Sequence, residues 1–154
     1  MRSSTDAPVI FGGVRGDLVD HITVNLPITW KSVVTERLKE ELVKEARRSI
    51  GQLDIELQQL EFQAKRMLPD LEKQNLKRAM DVRLQLDEER EKRQQAKERA
   101  QARLREIEAL NLGDEITRGT LQRIVRLEVG TSLEQLLRQE ILTKDGVVVE
   151  LRQG

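Results

Sequence analysis

The sequence predicts an α+β protein in which a long antiparallel helical hairpin, a coiled coil, is inserted in a small, mostly antiparallel β domain formed by both chain ends. A long middle stretch carries apolar residues at heptad spacing among many charges, which is typical of paired helices. Strand-like alternation of apolar and polar residues precedes and follows this stretch. Only 2% of residues are aromatic and 35% are charged, so we do not expect a large compact core.

We expect three parts along the chain. Residues 1–20 contain Ser3-Ser4-Thr5, Pro8, Gly12-Gly13 and Gly16, which are typical of turns and linkers and predict a flexible N-terminal arm. Residues 21–31 plus 112–153 form the small β domain with one short helix. Residues 32–111 form the helical hairpin, with its turn near residues 68–70.

The first strand is predicted from strict alternation between Ile22 and Trp30, with apolar side chains on one face. Pro27 lies within it and has no amide hydrogen to donate, so we expect an edge strand or a bulge there. His21 opens the strand and is the only histidine. Without an acid or a nucleophile patterned around it, we interpret it as a surface residue and not as a base or ligand.

The first helix is expected to begin near Ser32 or Thr35, because either residue can cap a helix. Apolar residues then alternate spacings of four and three, which places them on one coiled-coil seam. Gly51 lies inside this helix and should cost about 1 kcal/mol relative to alanine. The candidate seam comprises Ala46, Ile50, Leu53, Leu57, Leu60, Ala64 and Met67.

A break is predicted at Leu68-Pro69-Asp70, because the residue before a proline is disfavoured in the α region and Pro69 suits the first position of a second helix. That second helix has a weaker seam, with no apolar residue between Asp87 and Gln95. We therefore expect a wet middle with fast hydrogen exchange. Gly113 is expected to end the helix. The second seam comprises Val82, Leu86, Glu89, Arg93, Ala96, Ala100, Arg103, Ile107 and Leu110.

Two arrangements could bury these seams. The two helices are similar in length, with arms of roughly 55 to 63 Å, so an antiparallel hairpin would bring Trp30 and Gly113 together at its base. The alternative is a kinked rod whose seams are buried by a second chain. The hairpin is favoured because the helix lengths match, and dimerisation remains open in both arrangements.

The carboxyl end predicts a return to β structure. A strand is expected over residues 120–129, preceded by a short one near residues 115–117. Thr131-Ser132-Leu133-Glu134 is a capping box that predicts a short helix through Leu137 or Arg138. Asp145-Gly146 between two apolar runs predicts a β-hairpin.

A basic stripe in the second helix is the candidate partner-binding site. Lysine and arginine together number 27 and the acids also 27, so attraction to nucleic acid would have to be local. The favoured alternative is a solvated face that pairs with acids of the first helix, because no aromatic residues for base stacking are interleaved. The stripe comprises Lys92, Arg93, Lys97, Arg99, Arg103 and Arg105.

Enzyme chemistry is not indicated by the sequence. The chain has no cysteine, which excludes thiolate nucleophiles and Cys-based zinc sites. No Ser/His/Asp grouping, metal-ligand cluster or dinucleotide fingerprint is recognisable, so no catalytic residue, metal, cofactor or small-molecule substrate is expected. No secretory or transmembrane segment is evident, and we expect a soluble cytoplasmic protein without membrane association.

Several segments together carry a resemblance to a known family. They are Ile22-Thr23-Val24 leading through Pro27-Ile28-Thr29 into Val33-Val34-Thr35-Glu36, then residues 52–63, QLDIELQQLEFQ, and finally Lys144-Asp145-Gly146-Val147-Val148. Over residues 22–152 the chain resembles the YlqD family of bacterial proteins. The resemblance implies a bacterial or cyanobacterial cytoplasmic protein without assigned activity, catalytic residues or cofactor. Some relatives are encoded near ribosome-maturation genes, which implies a translation-linked role by association.

These observations predict a non-enzymatic interaction or scaffold protein, with the helical arm as the binding surface for a protein partner or for a second copy in a homodimer. The alternative is a ribosome- or RNA-associated factor that uses the basic stripe. A third hypothesis is a holdase-like chaperone whose apolar contact is the arm tip around Phe62, Met67, Leu68 and Leu71.

Overall fold

The computed structural model describes residues 16–153, so most of the predicted N-terminal arm lies outside the described residues. It confirms the α+β class, with two long helices forming a hairpin and a four-stranded sheet built from both chain ends. The elements in chain order are β1 (His21–Val33), α1 (Glu36–Gln74), α2 (Leu76–Glu108), β2 (Glu115–Glu128), α3 (Leu133–Leu137), β3 (Glu140–Lys144) and β4 (Val147–Arg152).

The sheet has the strand order β2-β1-β3-β4 and is mixed. The Thr29 amide donates to the Gln139 carbonyl at 3.3 Å, and the Ser32 and Thr143 hydroxyls lie 2.8 Å apart. Residue numbers rise together along β1 and β3 through these contacts, so the two central strands are parallel. The outer pairs, β2 with β1 and β3 with β4, are antiparallel.

Pro27 lies in an internal strand, so the predicted edge position is wrong for β1 as a whole. The physical reason is the shortness of β3. That strand begins at Glu140, and the Thr29 amide already bonds Gln139, just before its start. Pro27 therefore lies beyond the paired part of β3, where a missing amide hydrogen does not break the ladder.

Helix α1 begins at Glu36 because Thr35 caps it. The Thr35 hydroxyl accepts the Leu38 amide at 3.1 Å and donates to Asp145 Oδ1 at 2.6 Å. This decides between the two predicted caps, since Ser32 lies in β1 and its buried hydroxyl bonds Thr143. The Thr35 hydroxyl therefore caps α1 and also links its first turn to Asp145.

The predicted turn near residues 68–70 is wrong, because α1 continues through Pro69 to Gln74. Proline's fixed φ is itself helical, so Pro69 fits within the helix although it donates no amide hydrogen bond. The break lies at Asn75, which is extended. Asn75 caps both helices: its amide donates to Leu71 O at 2.8 Å, and its Oδ1 accepts from Arg78 N at 3.1 Å.

Cross-helix ion pairs define the hairpin register. Near the turn Arg83 bonds Glu72, and at the other end Arg47 lies 3.8 Å from Glu108. Residue numbers rise along α1 as they fall along α2, so the helices are antiparallel within one chain. The intramolecular hairpin is thus confirmed over the kinked rod.

The apolar core of the hairpin lies at its base, where the helices are joined to β1 and β2. Leu38, Leu42, Ala46 and Ile107 are buried there, and further half-buried apolar side chains pack around them. Beyond this base Ala79, near the turn, is the next fully buried residue of the described helices. The middle of the hairpin therefore lacks a comparable apolar core.

The ends of α2 and β2 differ slightly from expectation. Gly113 adopts φ +94° after the helix, as predicted for a left-handed stop. Lys39 Nζ donates to the carbonyl of Leu110, two residues beyond the end of α2, at 2.8 Å and so links the first turns of α1 to the end of the hairpin. Strand β2 then runs without interruption from Glu115 to Glu128, so the two predicted strands are one.

The carboxyl-terminal elements follow the predicted motifs, except that Thr131 does not cap the helix as the capping box predicts, because its hydroxyl accepts the Glu128 amide at 3.0 Å. Ser132 caps α3, with its hydroxyl accepting the Gln135 amide at 3.5 Å. Asp145 and Gly146 have φ of +49° and +84°, the positive angles that a type I′ turn requires. The Asp-Gly hairpin between β3 and β4 is therefore confirmed.

The described residues divide into two compact units. The sheet unit comprises residues 16–31, 117–142 and 150–153, and the hairpin unit comprises residues 32–116 and 143–149. This differs from the predicted boundaries, because bonds such as those from Val34 to Asp114 and from Thr35 to Asp145 tie short strand ends to the helices.

Candidate functional site

Arg93 is the centre of a polar cluster in the middle of the hairpin. Its guanidinium donates to Glu56 of α1 at 3.1 Å and to Glu89 of α2 at 2.5 Å. The hydrogen bond from Arg93, followed by the charge of Lys92, holds the pKa of the Glu89 carboxyl below its usual value. The hydrogen bond to Glu89 likewise raises the pKa of Arg93. Arg93 is therefore occupied by two carboxylates of its own hairpin.

Two further members of the predicted basic stripe also have carboxylate partners. Lys97 Nζ lies 2.6 Å from Asp54 Oδ1 across the hairpin, and Lys92 Nζ lies 3.7 Å from Glu89 Oε1 along α2. Lys97 and Arg93 are only partly exposed, whereas Lys92 extends into solvent. Arg93 and Lys97 thus pair with acids of α1, as the favoured alternative predicted, whereas Lys92 pairs with an acid of α2.

Arg99, Arg103 and Arg105 form the other half of the stripe. All three are exposed, and within residues 16–153 none has an ion pair with a carboxylate. Arg99 and Arg103 are four residues apart and so share one face of α2, whereas Arg105 points to another. The stripe is thus not one continuous surface. Its charges without a carboxylate partner lie at the carboxyl-terminal end of α2.

The predicted seam of α1 faces α2 over most of its length. Ala46 is buried, and the next five seam residues, from Ile50 to Ala64, are half-buried. Met67 differs, since its side chain is 49% exposed while Leu68 and Leu71 are half-buried. Near the turn the inner face therefore shifts by one residue.

The seam of α2 shows a similar shift at its base. Arg103 is exposed, and its neighbour Leu104 packs against the apolar core instead. Val82, Leu86, Ala96 and Ala100 are half-buried on the inner face. Arg103, which the heptad pattern assigns to the seam, is thus accessible to solvent.

A row of exposed apolar side chains on α2 was missed by the sequence prediction. Leu76, Met80 and Leu84 recur every fourth residue and are 60 to 64% exposed. Phe62 of α1 is 63% exposed, with the Arg66 guanidinium 6.0 Å from its ring centre. We call Leu76, Met80 and Leu84 the distal row.

A signal for the distal row is present in the sequence. The first half of α2 carries two apolar lines, one through Ala79, Val82 and Leu86 and one through Leu76, Met80 and Leu84. A helix that packs on a single neighbour buries one stripe only. The second line therefore had to be exposed.

A cleft of about 1030 Å³ forms an open groove along the base of the hairpin, and eight of its ten lining residues are charged. Within residues 16–153 no group of His, Asp and Glu side chains is arranged to hold a metal ion. His21 is exposed, as expected. In the same part of the chain no helix is long and apolar enough to cross a membrane.

The segments that suggested a resemblance match a family model. The model of the family described as YlqD protein covers residues 22–152. The chain belongs to the YlqD family. That match runs from β1 to the end of β4, so the hairpin and all four strands lie within the YlqD region.

A solved structure shares the YlqD fold of this chain. It is a protein of unknown function from Synechococcus sp. WH 8102, with a TM-score of 0.80 and 22% sequence identity. The match covers 90% of this chain and 100% of that one. No curated protein matches the chain. At this identity the likeness establishes the fold of this YlqD chain and not an activity.

Proposed function

We propose that this YlqD chain is a non-enzymatic interaction protein of the bacterial cytoplasm, which binds a protein partner along its helical hairpin and acts as a scaffold. The observation that carries the proposal is the distal row. Contiguous exposed apolar side chains on a stable helix are typical of protein interaction surfaces. Leucine and methionine are suited to this role because they bury much apolar area, and methionine adapts to its partner.

The distal row is not required for hairpin packing. Ala79 is buried, and Val82 and Leu86 occupy the inner face of α2 over the same turns. Leu76, Met80 and Leu84 therefore contribute little to the contact between the helices. A partner helix that packs along them would contact an apolar side chain at every fourth residue, which is a common mode of helix recognition.

The proposal is tested by removing the apolar row without disturbing the fold. In cells that express tagged protein, partners recovered by affinity purification should be lost with the triple variant L76Q/M80Q/L84Q. The control L121Q/I124Q replaces exposed apolar side chains of β2 and should retain them. Both variants should keep wild-type helicity and thermal unfolding. Equal recovery from the triple variant and wild type would contradict the proposal.

A photo-crosslinking residue sharpens the assignment. Placed at Met80, it should give a discrete crosslinked species in living cells, because the side chain lies in the proposed contact. Placed at Gln95, an exposed polar position of the same helix, it should give none. Crosslinks of equal yield at both positions would indicate random collision along the arm.

A holdase-like role is supported by the same distal row, because denatured chains also bind exposed apolar surface. The two roles differ in selectivity. A scaffold should capture the same partner in each preparation, whereas a holdase should suppress aggregation of an unrelated test client. Loss of this suppression in L76Q/M80Q/L84Q would favour the chaperone role, and absence of suppression by wild type would exclude it.

RNA or ribosome binding is the second candidate function, supported by the exposed charges of Arg99, Arg103 and Arg105. If all three contact phosphates of single-stranded RNA, the triple glutamine variant should lower the slope of binding against salt by about 2. Co-sedimentation with ribosomes or labelled RNA over a salt series measures this slope.

The matched control for the RNA test removes three charges near the turn, with K65Q/K73Q/K77Q. It changes the net charge equally, so a general electrostatic attraction would be weakened by both variants. A loss restricted to the arginine variant would support a phosphate site. Unchanged co-sedimentation of both variants would exclude RNA or ribosome binding through these arginines.

A further inference from the structure

Strand β4 ends the described sheet and is rich in exposed apolar side chains. Its neighbour is β3 on one side only. Val147, Val148, Val149 and Leu151 are each at least half exposed, and Leu151 is 77% exposed. Such an edge offers unpaired backbone groups for another strand, and proteins normally protect it with charge, proline or a covering segment.

The backbone of β4 presents its outward groups at defined positions. In the two-residue turn the Val147 amide faces the Lys144 carbonyl, so Val147 directs its backbone groups inward to β3. Direction alternates along an antiparallel strand, which turns those of Val149 and Leu151 inward as well. The amides and carbonyls of Val148, Glu150 and Arg152 therefore point outward.

We propose that β4 pairs with β4 of a second copy of this chain, antiparallel and centred on Leu151, so that two sheets join into one of eight strands. In this register Leu151 lies opposite Leu151 of the second copy. Glu150 lies opposite Arg152 of the second copy, and Arg152 lies opposite its Glu150. The outward-facing amides and carbonyls of Glu150 and Arg152 then form hydrogen bonds with the second strand.

Charge complementarity selects this register. Centring the pair on Glu150 would place two glutamates opposite each other, which is destabilising. Centring it on Val149 would place Glu150 opposite Val148 and leave the charges without cross-strand partners. Only the Leu151 register pairs both charges with opposite ones. An edge with two like charges would repel its own copy, whereas Glu150 and Arg152 make β4 self-complementary.

The contacts of Arg152 within its own chain are compatible with pairing. Its guanidinium lies 3.3 Å from Glu150 and 3.7 Å from Glu140. In the proposed pair, Arg152 exchanges its own Glu150 for Glu150 of the second copy, so the number of its carboxylate partners is unchanged. The shared surface is a single short strand, and the dimer should therefore be reversible and sensitive to salt.

Cysteine trapping tests the register directly, because the chain has no cysteine of its own. Opposed Leu151 residues form a non-hydrogen-bonded pair, with Cα atoms about 4.5 Å apart, which a disulfide can span. Mild oxidation should convert Leu151→Cys to a covalent dimer. Ile124→Cys, which is 76% exposed on the other edge strand, is the matched control and should stay monomeric. Equal crosslinking of both, or none at position 151, would overturn the proposal.

Charge swaps test the pairing in solution. Sedimentation velocity up to about 200 µM, a range suited to small interfaces, should show a concentration-dependent dimer of the wild type. Glu150→Arg and Arg152→Glu should each reduce dimerisation at least tenfold, because like charges then face each other.

An equal mixture of the two swapped variants should restore dimerisation, since each strand again meets opposite charges. Circular dichroism confirms that both variants are folded. A monomeric wild type, single variants that still dimerise like wild type, or a mixture that stays monomeric would each overturn the proposal. The result is independent of the proposed hairpin function, whose variants leave β4 unchanged.

Discussion

The base and the middle of the hairpin join the same two helices by different interactions. At the base Leu38, Leu42 and Ile107 are buried in an apolar cluster. In the middle the contacts are partly exposed ion pairs, from Arg93 to Glu56 and from Lys97 to Asp54. Apolar burial supplies most folding free energy, whereas partly exposed ion pairs add little. We therefore expect the base to hold the hairpin closed and the middle to set its register.

The ion pairs in the middle of the hairpin can specify the register because each joins one residue of α1 to one residue of α2. Apolar seams tolerate a slip of one heptad, because one aliphatic side chain can replace another. A slip of seven residues along α1 would place Ser49 or Gln63 opposite Arg93 in place of Glu56. The guanidinium would then face a neutral side chain. The ion pairs from Arg93 to Glu56 and from Lys97 to Asp54, which we call the polar middle, thus disfavour slipped pairings of the two helices at a small cost in stability.

The largest expected effect comes from truncating matched leucines in the two regions. Leu42→Ala leaves a cavity in the buried base and should lower the free energy of unfolding by about 3 kcal/mol. Leu57→Ala, at a half-buried position in the middle, should lower it by about 1 kcal/mol. Urea unfolding followed by circular dichroism measures both. Equal losses would show that the middle is packed as tightly as the base.

Gly51 lies between the two regions and should give a smaller effect of opposite sign. A Cβ at this position would meet nothing within 4 Å, and the backbone is helical. Gly51→Ala should therefore raise the free energy of unfolding by about 0.5–1 kcal/mol. The control Gly113→Ala should lower it by about 1 kcal/mol, because φ is +94° there. A destabilised Gly51→Ala would indicate that glycine is needed for a close contact in solution.

The sequence was sufficient to predict the elements that depend on local chemistry. The seam from Ala46 to Ala64, the Asp145-Gly146 turn and the stop at Gly113 follow from heptad spacing and from residues that accept positive φ. These features need no knowledge of distant contacts, and the structure has the turn and the stop where they were predicted.

Long-range packing accounts for what the sequence did not reveal. Pro69 is a strong local signal for a helix boundary, yet α1 continues through it to Gln74, and the weaker signal of Asn75 marks the turn. Similarly, the sequence of α2 does not identify which acids of α1 face the basic stripe. Its division into paired and accessible residues depends on Asp54 and Glu56, which only the hairpin register brings close.

The smallest predicted effect concerns acid pH and the polar middle. Glu89 has a lowered pKa in the folded chain, because Arg93 donates to its carboxylate and Lys92 lies nearby. As pH falls below the ordinary value of 4.5, the unfolded chain takes up this proton before the folded chain does. The stability that Glu89 contributes is therefore complete above that pH and is lost progressively as pH falls through the lowered pKa. Urea midpoints measured from pH 7 to pH 3 should decline accordingly.

Glu89→Gln isolates this contribution from that of the other carboxylates. Because glutamine does not titrate, the variant should lose stability at neutral pH and show a shallower decline toward pH 3 than wild type. Glu98→Gln is the matched control: it removes an exposed glutamate from the same helix and should leave the decline unchanged. Added salt should narrow the difference between Glu89→Gln and wild type at pH 7, since it screens exposed pairs. A decline equally steep in all three proteins would place the acid sensitivity outside the ion pairs in the middle of the hairpin.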